Sequence, residues 1–170
     1  VRSCAYPKNH KDAFYDLSLA PSILQFYINY ISPYEYAKLD NVQSTTRFGG
    51  MENAGCIFYD EDALSGKQSS ENLIAHEIVH QWFGNSATEK DWCHLWLSEG
   101  FATYLTNVYI EQTKGKEAFH EQLKQDRNRI VSFDKRYKAP VVDTTYNSLM
   151  DLLNPNSYQK GGWILHMLRN

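Results

Sequence analysis

The order of apolar and polar residues along the chain predicts two short strands followed by a run of helices. Residues 1–17 show no sustained period and read as extended or irregular. From Pro21, a favoured first-turn residue, SILQFYINYI reads as a helix that stops before Pro33. LDNVQSTT (39–46) alternates and carries β-branched residues, so it reads as a strand. FGGMENAG (48–55) reads as a glycine-punctuated bend, and CIFY (56–59) as a second strand closed by an acidic turn. After a loop at 66–70, Ser69 or Ser70 caps a helix carrying Leu73, Ile74, His76, Glu77, Val79, His80 and Phe83, which ends at Gly84-Asn85. A further helix runs from about Leu95 to Thr113, with Leu97, Phe101, Leu105 and Val108 on its apolar stripe, and Gly115 breaks it. Residues 116–134 predict a charged amphipathic helix on the outside, and a last helix starts near Ser157 after Asn154-Pro155. Strands first and helices afterwards imply an α+β fold with a small N-terminal β portion and a mainly helical lobe.

Composition narrows the classes. The chain has 170 residues, 42% hydrophobic and 22% charged, which suits one compact globular domain with a core. A net charge of -3 gives no broad basic field and argues against a nucleic-acid partner. No apolar run approaches a membrane span, and VRSCAYPKNHKDAF has no signal-peptide core, so the chain reads as soluble with its compartment open. It starts without Met and stops inside GGWILHMLRN, so it reads as a piece of something longer. Three cysteines, Cys4, Cys56 and Cys93, have no paired short spacing and imply neither a disulfide framework nor a Cys-based zinc site.

The candidate chemistry lies in AHEIVHQWFGN (75–85). Residues four apart on a helix share a face, so His76 and His80 can aim both imidazoles at one point, with Glu77 one step round. That spacing suits zinc, and it also occurs as a plain solvated stripe. The neighbours Ile78, Val79, Trp82 and Phe83 ask for burial, and each buried polar group left unsatisfied costs about 1–3 kcal/mol, which a metal site would remove. Separated from His80 by eighteen residues, Glu99 sits in the apolar helix WLSEGFATYL and is the candidate third ligand; the alternative is a buried carboxylate paired with a base. Three protein ligands leave a position for water, the pattern of a catalytic zinc, and Glu77 would then serve as general base in amide hydrolysis.

GGMEN (49–53), HEIVHQWFGN (76–85), WLSEGFATYL (96–105) and SYQKG (157–161) together resemble the gluzincin aminopeptidases of peptidase family M1, in order and in spacing. The resemblance implies a single thermolysin-like catalytic domain over 1–170, the core of a larger enzyme whose flanking domains are absent here. It implies one zinc per chain on His76, His80 and Glu99, with Glu77 as general base and Tyr158 stabilising the oxyanion. It implies a substrate-binding segment of Gly49, Gly50, Met51, Glu52 and Asn53, in which Glu52 holds the free α-amino group of a peptide and the glycines let backbone approach it. The implied partners are peptides with a free N-terminus. A thermolysin-like endopeptidase and a non-enzymatic scaffold are the alternatives, with an epoxide-hydrolase side activity as a third. Ser98 departs from the asparagine usual before the glutamate. Thr103, one turn beyond Glu99, is a candidate acceptor for a histidine N–H.

Overall fold

The computed structural model describes residues 1–169, which fall into two compact units, Val1–Ser86 and one that begins at Ala87. The class is α+β, with a four-stranded mixed sheet preceding most of the helices. Among the described residues no helix is long and apolar enough to cross a membrane. Cys4, Cys56 and Cys93 are free thiols.

In the first unit, β1 (Arg2–Cys4) leads into α1 (His10–Leu17) and α2 (Ala20–Tyr30). The sheet then continues through β2 (Asp40–Ser44), β3 (Gly50–Met51) and β4 (Cys56–Asp60). Its order is β1-β2-β4-β3; β1, β2 and β4 run parallel, and β3 pairs antiparallel to β4 with Gly50 opposite Tyr59 and Met51 opposite Phe58. Two expectations change here. Residues 10–17 are helical rather than irregular, because Ala13 and Leu17 bury one face together with Asp16. That carboxylate accepts from the amides of Gly66 (2.9 Å) and Gln68 (2.7 Å), so a charged residue serves a buried position. The bend at 48–55 contains an edge strand, since Gly50 and Met51 complete the sheet.

α3 (Glu71–Val79) closes the unit, burying Ile74, Ala75, Ile78 and Val79. It ends earlier than its apolar pattern predicts. His80 keeps helical dihedrals as the C-cap, and the chain then tightens into bonds from Gln81 to Ile78 and from Trp82 to Val79. Trp82 packs beside Tyr27 and Tyr34, with ring centroids 6.2 and 5.7 Å away.

The second unit is helical. α4 (Trp96–Lys114) is buried nearly all round, as its apolar stripe and small residues allow. Gly115, at φ 90°, ends it and starts α5 (Lys116–Asp134), which buries only Phe119, Leu123 and Asp126 and turns its charges outward as expected. Burial raises the pKa of the Asp126 carboxyl against the two amides that bond it, Asn107 at 2.8 Å and Gln122 at 3.3 Å. A π-helical turn, Asn156–Lys160, leads into α6 (Gly161–Arg169).

One contact fixes how α4 meets that turn. A Cβ on Gly100 would lie 3.0 Å from the backbone of Gly161 and 3.2 Å from the Ser157 carbonyl. Backbone therefore approaches backbone, and only glycine permits it. Replacing Gly100 with valine is expected to lower stability by about 2 kcal/mol, since overpacking of roughly 1–3 kcal/mol outweighs a few tenths gained in helix propensity. Denaturant midpoints of the two proteins check this.

Candidate functional site

In the first unit the i, i+4 spacing brings the histidines together. The His76 and His80 rings are 4.7 Å apart and nearly perpendicular at 82°, and their Nε2 atoms approach to 3.1 Å. His80 is buried, and its Nδ1 lies 2.9 Å from the Phe83 carbonyl oxygen. A carbonyl only accepts, so Nδ1 carries the hydrogen and Nε2 presents its lone pair. The acceptor for this histidine is thus a main-chain oxygen three residues on. The methyl of Thr103, the expected candidate, packs at Gly162.

Glu77 is 5% exposed and lies directly beneath the edge strand. A Cβ on Gly50 would stand 2.3 Å from its carboxyl group, so the glycine is what lets β3 cross over this side chain. The negative charge of Glu77 also reaches Tyr59. Burial, and then that charge, push the Tyr59 phenol well up, and it stays protonated to donate to the Asn41 side-chain oxygen at 3.1 Å.

The GGMEN segment runs from β3 into a tight turn. The Gly49 carbonyl accepts from Asp60 at 3.0 Å, and the Asn53 carbonyl from Cys56 at 2.9 Å. Met51 and Glu52 are half-buried and Asn53 is exposed. The Glu52 carbonyl accepts from two side chains at the end of α3, Gln81 (3.0 Å) and Asn85 (2.7 Å). The sequence pattern marks neither as a functional residue. Their partners are main-chain groups, which carry no side-chain signal.

In the second unit, Glu99 lies in the first turn of α4, 8% exposed. The Tyr158 hydroxyl donates to its Oε1 at 2.9 Å. Gly100, next to Glu99, passes close against Gly161, and Tyr158 sits in the middle of the π-helical turn, a local geometry often found where a side chain is aimed for function. Ser98 points the other way, donating to the Glu89 carboxylate. Lys160 of the SYQKG segment pairs with Asp134 at 3.4 Å, away from Tyr158.

The comparisons with known proteins agree with one another. The model of the peptidase family M1 domain matches residues 15–170. Endoplasmic reticulum aminopeptidase 1 of Rattus norvegicus is 33% identical, over 98% of this chain and 19% of its own length. Glutamyl aminopeptidase of Bos taurus is also 33% identical, over 96% of this chain and 19% of its own. Yeast LTA4 hydrolase in complex with bestatin superposes with a TM-score of 0.87 at 27% identity, covering 98% of this chain and 29% of that one. The chain therefore spans about a fifth of the length of the curated relatives it matches.

Proposed function

We propose that this chain, which belongs to peptidase family M1, is the catalytic part of a zinc aminopeptidase. The two units together would form one thermolysin-like catalytic domain, with further domains of the parent enzyme around it. His76, His80 and Glu99 would hold one zinc ion per chain.

The observation that carries this reading is the pair of facing imidazoles. Two nitrogens bound about 2.0–2.1 Å from a tetrahedral zinc lie roughly 3.3 Å apart. The Nε2 atoms here are 3.1 Å apart, and the Phe83 carbonyl holds His80 in the tautomer a metal requires. The donor set, two imidazoles and a carboxylate, suits zinc and leaves a position for water.

Zinc, when bound, polarises a carbonyl and lowers the pKa of its water to about 7. Glu77, held beneath Gly50, accepts the proton of the attacking water and passes it to the departing amine. Tyr158 shifts its hydroxyl hydrogen bond from Glu99 to the oxygen that gains charge in the tetrahedral adduct. Glu52 pairs with the α-ammonium group of the peptide, so the substrate enters only far enough to present its first bond. Gly50 and Met51 flank the substrate with the backbone of an edge strand, and Gly49 and Asn53 border it on either side.

Matched reporter peptides with free and N-acetylated termini test the proposal. A hydrogen-bonded charge pair contributes about 1.5–3 kcal/mol, so kcat/KM is expected to favour the free terminus at least tenfold. Equal cleavage of both would indicate an endopeptidase, and a zinc-loaded protein that cleaves neither would indicate a scaffold.

A further inference from the structure

We infer that Gln81, assisted by Asn85, is a positioning residue that fixes where Glu52 stands relative to His80, and so sets how strongly the site prefers a free amino terminus. The inference rests on the reading of Glu52 as the amine anchor.

Gln81 follows His80 directly and is 1% exposed. Both ends of its amide are used on the same short arc of chain. Oε1 accepts from the Gly55 amide at 2.8 Å, and Nε2 donates to the Glu52 carbonyl at 3.0 Å. Asn85 adds a second donor to that carbonyl at 2.7 Å, while its own amide bonds the His80 carbonyl at 3.1 Å. Residues 52–55 are thus gripped at both ends by Gln81, and at Glu52 also by Asn85, both of which follow His80 within five residues. Gly55 sits at φ 69°, where L side chains rarely go, so the arc is a tight turn with a defined shape. A buried amide bonded to main chain ties two segments in one register, where an apolar side chain of equal volume would let them slide. The carboxylate of Glu52 inherits its position from this clasp, because its own carbonyl is the clasped group. Any shift of the arc moves the amine anchor against the histidine nitrogens, and the reach from anchor to scissile bond is fixed by the substrate.

The test uses the zinc-loaded enzyme and four variants: Gln81→Ala, Asn85→Ala, Glu52→Ala and the double variant Gln81→Ala with Glu52→Ala. Gln81→Ala is expected to raise KM for a free-amine peptide about tenfold and to leave kcat within about threefold, with one zinc retained. Asn85→Ala shifts KM in the same direction and carries the test should Gln81→Ala fail to fold. The double variant is expected to be no worse than Glu52→Ala alone, because Gln81 acts only through the anchor. Amide hydrogen exchange gives a readout independent of turnover: the Gly55 amide loses protection in Gln81→Ala and keeps it in Gln81→Glu, which retains the accepting oxygen. Additive losses in the double variant would overturn the inference and make Gln81 a general packing residue. So would an unchanged KM in both Gln81→Ala and Asn85→Ala while Glu52→Ala loses the preference. If Glu52→Ala itself keeps the preference, the anchor reading fails, and the positioning role falls with it.

Discussion

Replacing Glu77 with glutamine is expected to leave a folded, zinc-loaded protein whose kcat is at least a hundredfold lower. Proton transfer by a positioned side chain typically supplies 10²–10⁴ in rate, equivalent to roughly 3–5 kcal/mol of barrier. Glutamine has the shape of glutamate and fits the same slot under Gly50, where any bulkier group would meet the edge strand. What changes is chemical: the amide cannot take a proton from water. His76 and His80 are untouched, so the metal stays. The charge near Tyr59 disappears, yet burial is the larger cause of that phenol's raised pKa, and its bond to Asn41 persists. Metal analysis and a thermal melt establish that the variant is intact, and single-turnover kinetics measure the chemical step. Turnover at the parental rate in a zinc-loaded Glu77→Gln protein would remove the base from the proposal.

How much of this was legible in the sequence depends on how local each cause is. The two-histidine face of α3 follows from a 3.6-residue period, and the 3.1 Å approach of the nitrogens is its direct consequence. The ends of α2 and α4 were marked by Pro33 and Gly115, whose backbone preferences act within a residue or two. α1 was hidden because its buried face includes Asp16, and the groups that satisfy that carboxylate lie 50 and 52 residues away. β3 was hidden because two residues have no period; only pairing with β4 makes them a strand. GGMEN and SYQKG could be located from family resemblance, but Gly50's place over Glu77 and the Tyr158–Glu99 bond are tertiary facts with no local signature. Gln81 and Asn85 stood in plain view inside HEIVHQWFGN, and a buried amide cannot be told from a surface one until its main-chain partners are known.

Removal of the metal by a chelator is expected to abolish hydrolysis and lower the melting temperature by on the order of 10 °C, with both restored by added zinc. The size follows from linkage. A ligand present at about a thousand times its Kd stabilises the folded state by roughly 4 kcal/mol, and a chain of this size loses about 2–4 °C per kcal/mol. The structure also says which nitrogen of His80 faces a metal. The Phe83 carbonyl commits the hydrogen of His80 to Nδ1, so His80 Nε2 can only accept. His80 is therefore already in the form that a metal on Nε2 would require. Metal loading is therefore expected to leave the Nδ1–H of His80 in place, which nitrogen-detected NMR on labelled protein resolves. A His80→Ala variant provides the control, since it should melt at the same temperature with and without chelator. Full activity and an unmoved melting curve in chelated protein would sink the zinc assignment, and the shared role of the two imidazoles with it.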